Sequence, residues 1–138
     1  MKILAIDLGK RFGWCFYFGS DTTAEWGEGD YSHVLEWGDE FNKLLSKWKP
    51  DIVVLSQTNN FGHWNATRSQ LIQAGIAFYL CGKRGMSGIE FNDSSARKAV
   101  FGKALKKKEV QAIYPDMKPN ALDAYVLARG WHILNSKQ

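Results

Sequence analysis

The chain has 138 residues, of which 45% are hydrophobic and 23% charged, a composition that indicates one ordinary globular domain over residues 1–138. No apolar run reaches the length of about 18 residues that a membrane-spanning helix needs. We also expect no signal peptide, because a strand is predicted from residue 3 onwards. The two cysteines, Cys15 and Cys81, are too few and too widely spaced for a disulfide framework or a zinc site, so we expect buried thiols in an intracellular protein.

Charged residues are unevenly distributed along the chain. The net charge is only +4, from 18 Lys and Arg against 14 Asp and Glu. Acidic residues crowd the first third, whereas a later stretch is rich in the basic residues Arg97, Lys98, Lys103, Lys106, Lys107 and Lys108. Such a patch is typical of a surface that contacts nucleic-acid phosphates, although a solvated helix face gives the same pattern.

The first stretch of the chain predicts two paired strands with an acid between them. The apolar run of residues 3–6 predicts a buried strand that carries Asp7 at its end. Gly9 begins a turn, and residues 13–18 predict a second strand that returns beside the first. An acid on a central strand, followed by glycine, suits a site where a metal or a phosphate approaches the backbone. The alternative is an acid that merely ends a strand.

The remaining elements alternate between strands and helices. We predict strands at residues 22–29, 51–55 and 88–91, and helices at residues 32–47, 65–80, 95–101, 107–114 and 119–134. The buried stripe of the long second helix is assigned to Leu71, Ala74, Gly75 and Phe78, and the cap of the short third helix to Asp93 or Ser94. This order predicts an α/β domain with a mixed sheet.

Polar side chains near the last helix and the fourth strand form a candidate metal site with Asp7. Asn120 and Asp123 lie three residues apart and therefore share one helix face. Ser56 and Gln57 follow the fourth strand and point the same way as Asp7 if the two strands are parallel neighbours. Phosphodiester cleavage with divalent metals needs several oxygen ligands around one or two Mg²⁺ ions.

Three segments together resemble one family. DLGKRFGW at residues 7–14, NDSSARKAVFGKALKKKEVQ at 92–111 and NALDAYVLA at 120–128 are similar to motifs of RuvC-type Holliday junction resolvases, in the order of that family. The resemblance is to the small, phage-like members. It implies a ribonuclease-H-like fold, with a five-stranded mixed sheet flanked by helices.

The resemblance also implies a four-residue metal site. Its positions fall on Asp7, on Gln57 or Ser56 at the end of the fourth strand, on Asn120 and on Asp123. The family has a Glu at the fourth strand, and Gln57 would replace it either as an engineered inactivation or by natural loss. Asp116 is a further carboxylate close to the last helix, either as a replacement ligand or as a simple loop acid.

The function implied by the resemblance is structure-selective cleavage of Holliday junctions and other branched DNA. The implied cofactor is Mg²⁺ or Mn²⁺, with two ions, and the implied assembly is a homodimer in the cytoplasm of a bacterium or a phage-infected cell. No membrane and no small-molecule cofactor are expected. Phosphate contacts are assigned to the basic patch with Lys10 and Arg11, and base stacking at the junction to Phe61 and Trp64, which alternatively begin the core face of a helix. The alternatives are a catalytically inactive DNA-binding protein of the same fold and a YqgF-like nuclease acting on RNA.

Overall fold

The computed structural model describes residues 1–20, 23–58 and 64–136. The predicted order of elements is confirmed along this part of the chain. In sequence the elements are β1 (Ile3–Asp7), β2 (Arg11–Tyr17), β3 (Glu25–Asp30), α1 (Val34–Trp48), β4 (Ile52–Ser56), α2 (Trp64–Lys83), β5 (Ser87–Phe91), α3 (Asp93–Phe101), α4 (Lys107–Ile113) and α5 (Pro119–Asn135). No helix in the described ranges is both long enough and apolar enough to cross a bilayer.

The strands form one five-stranded mixed sheet in the order β3-β2-β1-β4-β5. β1 is antiparallel to β2 and parallel to β4, and β4 is parallel to β5. The carboxyl ends of β1, β4 and β5 therefore meet at one edge of the sheet. Asp7 is the last residue of β1 and lies opposite Gly13 of β2, so this edge is where the candidate site begins.

Helices cover both faces of the sheet, which explains why β1 is apolar on both sides. Ile3 and Ala5 belong to the core shared with α3 and α5, whereas Leu4 and Ile6 belong to the core shared with α1 and α2. Side chains alternate between the two faces of a strand. Asp7 therefore continues the row of Ile3 and Ala5 and faces the side of the sheet on which α5 packs.

Gly13 brings the first turn of α5 into direct contact with the sheet. A Cβ atom at Gly13 would overlap the main-chain carbonyl group of Asn120 and would lie only 2.7 Å from the nitrogen of Ala121. Only glycine permits this approach of two backbones. Because Gly13 is the strand partner of Asp7, the contact sets the start of α5 beside Asp7.

The predicted buried stripe of α2 is wrong in part. Leu71 is 49% exposed, and Gly75 is also exposed. The buried face instead carries Ala74, Ala77, Cys81 and the fully buried Gln73. Apolar residues occur on all sides of this helix, so hydrophobic periodicity could not select the face that packs on the sheet.

Candidate functional site

A cluster of carboxylates lies where β1 ends and α5 begins. Asp7 and Asp123, the two acids that the sequence motifs single out, are both partly buried there. The Lys107 Nζ atom lies 3.5 Å from Oδ2 of Asp123. The carboxylate of Asp7 has no hydrogen-bond or ion-pair partner in the described part of the chain. The two acids predicted at residues 7 and 123 are thus brought to one site.

The electrostatics of this cluster disfavour negative charge. Burial raises the pKa of Asp7 to about 8, and the nearby charges of Asp123 and Asp93 add to this shift. Burial also raises the pKa values of Asp93 and Asp123, while the ammonium group of Lys107 opposes both shifts. The guanidinium group of Arg97 also opposes the shifts of Asp93 and Asp123, so burial of these acids is only partly offset by the two cations.

Asp93 is a member of the cluster that the sequence analysis placed only as a possible helix cap. The cap of α3 is in fact Asn92, whose Oδ1 accepts a hydrogen bond from the Ser95 N–H at 3.1 Å. Asp93 is the first residue of the helix, and it lines a small cavity together with Asp123 and Arg97. Its position directly after a strand that ends at this edge is the signal that could have found it.

Residues 56 and 57 occupy different surroundings. Ser56 is 5% exposed, and its Oγ accepts a hydrogen bond from the Leu8 N–H at 2.8 Å, directly beside Asp7. Gln57 is exposed, and its Oε1 accepts a hydrogen bond from Nδ2 of Asn92 at 3.1 Å. The side chain of residue 56 therefore borders the carboxylate cluster, whereas that of residue 57 turns towards the start of α3.

Asn120 is oriented by an acid on β3. Its Nδ2 donates to Oε2 of Glu28 at 3.1 Å, and the charge of Glu28 also contributes to raising the pKa of Asp7, after burial and the nearer acids. Glu28 was not among the predicted site residues, because a residue on an edge strand gives no spacing signal relative to α5. Asp116 is exposed and lines a cleft with Trp26, Glu28 and Lys118.

The donor chemistry of the site fits a hard divalent cation. Carboxylate and amide oxygens are the ligands that Mg²⁺ and Mn²⁺ prefer. Within the described residues, however, no three acidic, histidine or cysteine side chains converge closely enough to form an assembled metal site. The side chains of Asp7, Asp123 and Asn120 would hold a cation only after local adjustment.

The predicted DNA-binding residues fall into two groups. Lys10, Arg11, Lys98, Lys103, Lys106 and Lys108 lie on the surface, partly or fully exposed. Lys107 is also exposed, but its Nζ atom lies beside Asp123. Arg97 is partly buried and lines the cavity of Asp93 and Asp123, and its Nε atom is buried without a hydrogen-bond partner among the described residues. Phe61 lies outside the described residues, and Trp64 begins α2.

A cleft beside Asn120 and Glu28 adds one more basic residue. Its volume is about 440 Å³, and its lining includes Arg11, Glu28, Asn120 and Lys118. Lys118 immediately precedes α5 and was not part of the predicted patch. Basic side chains therefore stand on the two sides of the start of α5.

Comparisons with known proteins agree with the resemblance seen in the motifs. No protein-family model matches the chain. The crossover junction endodeoxyribonuclease RuvC of Thermomicrobium roseum is 38% identical over 77 residues, which is 53% of this chain and 45% of that protein. The chain thus matches less than half the length of this curated relative.

Solved structures match over nearly the whole chain. Thermus thermophilus RuvC in complex with a Holliday junction substrate has a TM-score of 0.80 at 14% identity, covering 98% of this chain and 94% of that chain. The yeast mitochondrial Holliday junction resolvase has a TM-score of 0.68 at 17% identity, covering 97% and 78%. The fowlpox virus resolvase has a TM-score of 0.58 at 15% identity and covers both chains fully. The chain therefore has the ribonuclease-H-like fold of the RuvC-type Holliday junction resolvases.

Proposed function

We propose that this chain is a structure-selective endonuclease that hydrolyses phosphodiesters in Holliday junctions and other branched DNA. The observation that carries the proposal is the meeting of Asp7 and Asp123 at the sheet edge, in a fold shared with resolvases over almost its whole length. One of those resolvases has been solved on a Holliday junction substrate.

The proposed cofactor is Mg²⁺ or Mn²⁺, with two ions, held by Asp7 and Asp123 with Asn120. A pair of such ions would neutralise charge at the phosphate and make the attacking water more acidic. Asp7 is central because its carboxylate is partly buried and has no other partner among the described residues. Glu28 positions the amide of Asn120 through their 3.1 Å hydrogen bond.

We propose that Ser56, rather than Gln57, occupies the position at the end of the fourth strand where the family has a Glu. The hydroxyl of Ser56 borders the carboxylates, whereas the side chain of Gln57 is hydrogen-bonded to Asn92. Neither residue supplies a negative charge, and this deficit favours the second candidate function, a catalytically inactive protein that binds branched DNA. The variants Ser56→Glu and Gln57→Glu discriminate the two positions, because only a carboxylate at the correct one can raise nicking activity.

The protein would hold DNA through contacts to the phosphate backbone rather than through recognition of the base sequence. The exposed basic residues are suited to phosphate contacts. Phe61 and Trp64 are proposed to stack on unpaired bases at the junction centre.

A homodimer would match the two-fold symmetry of a four-way junction. The buried thiols of Cys15 and Cys81 suit a reducing compartment such as the cytoplasm.

Cleavage of an end-labelled four-way junction tests the proposed function. We expect Mg²⁺- or Mn²⁺-dependent nicks near the junction centre, and no nicks with Asp7→Asn, which should still bind the junction. Junction binding without any nicking by the unmodified chain would support the inactive protein instead. A structured RNA is tested in parallel. Preferred binding and cleavage of this RNA would support the YqgF-like alternative.

A further inference from the structure

The end of β4 leaves the metal centre without the carboxylate expected there. Ser56 has only a hydroxyl, and that hydroxyl accepts a hydrogen bond from the Leu8 N–H. Gln57 is an uncharged amide engaged with Asn92. Hard divalent cations in catalytic sites depend on several oxygen ligands, with carboxylates providing the charge. Two acids, Asp7 and Asp123, are few for two ions.

We propose that Asp93, the first residue of α3, supplies the missing carboxylate of this metal centre in place of an acid on β4. The inference rests on the proposed function and deepens it. The relevant geometry is the parallel pairing of β4 and β5, in which Ser56 lies beside Phe91. Asp93 follows Phe91 by two residues and so begins α3 at the same sheet edge as Asp7 and Ser56.

Contacts place Asp93 with Asp123 rather than in open solvent. The two residues line one small cavity, whose walls include Val110 and Arg97. The charge of Asp93 also acts on Asp7, and the charge of Asp123 acts on Asp93. The charge of Lys107 lowers the pKa of all three carboxyl groups, and that of Arg97 lowers the pKa values of Asp93 and Asp123. The three acids therefore form one electrostatic cluster with these two cations.

A role in starting α3 does not account for this placement. An acid in the first turn of a helix is favourable because of the helix dipole, and an exposed side chain is sufficient for that effect. Asp93 is instead partly buried beside Asp123. Burial raises its pKa, the charge of Asp123 adds to this shift, and the charges of Lys107 and Arg97 oppose it. Asn92 already provides the side-chain cap. A bound cation would turn this unfavourable arrangement into a favourable one.

Direct titration with Mn²⁺ tests the assignment without relying on activity. We expect calorimetry to detect Mn²⁺ binding by the unmodified chain, and Asp93→Asn to weaken it by about tenfold or more, as Asp7→Asn should. The matched control is Asp39→Asn, an exposed acid of α1 on the opposite side of the sheet from α5, which should leave the affinity unchanged. Thermal melts of each metal-free variant confirm folding, and Asp93→Ser provides a second substitution if Asp93→Asn does not fold.

A double variant that moves the carboxylate from residue 93 to residue 56 gives a more decisive test. In the double variant Asp93→Asn with Ser56→Glu, the acid returns to the end of β4, and we expect most of the lost Mn²⁺ affinity to return. Unchanged affinity in Asp93→Asn, with affinity lost in Asp7→Asn, would overturn the role of Asp93 and leave the proposed function intact. Absence of Mn²⁺ binding by the unmodified chain, or no effect of Asp7→Asn, would overturn both.

Discussion

The side-chain amide of Gln73 forms two hydrogen bonds with the main chain of Gly9. The Gly9 N–H donates to Oε1 at 2.8 Å, and Nε2 donates to the Gly9 carbonyl at 3.1 Å. Gln73 is fully buried, and its own carbonyl accepts a hydrogen bond from Nε1 of Trp37 at 2.9 Å. These bonds connect α1 and α2 to the turn that directly follows Asp7.

We therefore expect Gln73→Met to destabilise the protein although it keeps the size and shape of the side chain. Loss of the amide leaves the N–H and carbonyl of Gly9 without partners in a partly buried turn, at a cost of about 1–3 kcal/mol. Chemical denaturation measures this loss. The control is Gln70→Met, on the same helix but outside its buried set, which should change the free energy of unfolding by less than about 0.5 kcal/mol.

Gly13→Ala should damage both folding and the candidate site. The added methyl group would overlap the main chain of Asn120, and a backbone cannot rotate away as a flexible side chain can. Overpacking of this kind costs about 1–3 kcal/mol, and displacement of α5 would separate Asp123 from Asp7. Thermal melts and Mn²⁺ titration report the two effects separately.

Gly75→Ala is the matched control for that substitution. Gly75 lies in α2, and apart from the backbone of its own helix no described atom lies within 4 Å of the position that a Cβ atom would take there. Alanine in a helix interior should therefore stabilise the protein, by about 0.5–1 kcal/mol. A destabilisation by Gly13→Ala no larger than about 0.5 kcal/mol would contradict the close contact between β2 and α5.

The strands and the two principal acids were predictable because their signals are local. Apolar runs mark β1 and β4, and Asp7 and Asp123 stand in short motifs of fixed spacing. The sequence leaves open whether Ser56 or Gln57 lies on the same face of the sheet as Asp7, because a shift of one residue moves a side chain to the other face of a strand. The face depends on the register between β1 and β4, which local sequence does not specify.

Asp93 and Gln73 escaped the sequence analysis for a different physical reason. Asp93 has the character of an ordinary helix-starting residue, and its burial arises from the packing of α3 on α5. Gln73 is a polar residue on a helix whose apolar residues point in all directions, so no pattern marks it as fully buried. Both roles depend on contacts between elements far apart in the sequence.

The raised pKa of Asp7 predicts that the metal-free protein loses stability as the pH rises. Between the pKa of about 4 expected in the unfolded chain and the value of about 8 in the folded protein, the folded state binds a proton that the unfolded state does not. Stability from this group is thus complete below about pH 4 and declines towards pH 8. Asp7→Asn should remove the part of this decline that comes from Asp7, and should therefore stabilise the metal-free protein at about pH 8 relative to the unmodified chain.

Urea titrations in the presence of a chelator, at several pH values, measure this effect. Addition of Mn²⁺ should reverse the trend for the unmodified chain, because a cation binds the deprotonated carboxylate and gains affinity as the pH rises. Identical pH profiles for the unmodified chain and Asp7→Asn without metal would contradict the buried, proton-binding state of Asp7.

The exposed lysines around α4 should contribute to DNA affinity through counterion release, whereas Lys107 should behave differently. Lys106 is exposed and has no acidic partner among the described ion pairs, so Lys106→Ala should reduce the salt slope of junction binding by about 1. Lys107 is paired with Asp123 at 3.5 Å. Its removal should affect the metal-free carboxylate cluster more than the salt slope.

Gel-shift titrations of a four-way junction at several salt concentrations give these slopes, and Lys43→Ala is the matched control. Lys43 lies on α1, on the opposite side of the sheet from α5, and forms an ion pair with Glu40 at 3.1 Å. We expect the salt slope of junction binding by Lys43→Ala to equal that of the unmodified chain. Equal slopes for Lys106→Ala and Lys43→Ala would mean that the patch is only a solvated helix face. A full reduction in Lys107→Ala would mean that Lys107 leaves Asp123 to contact a phosphate when DNA binds.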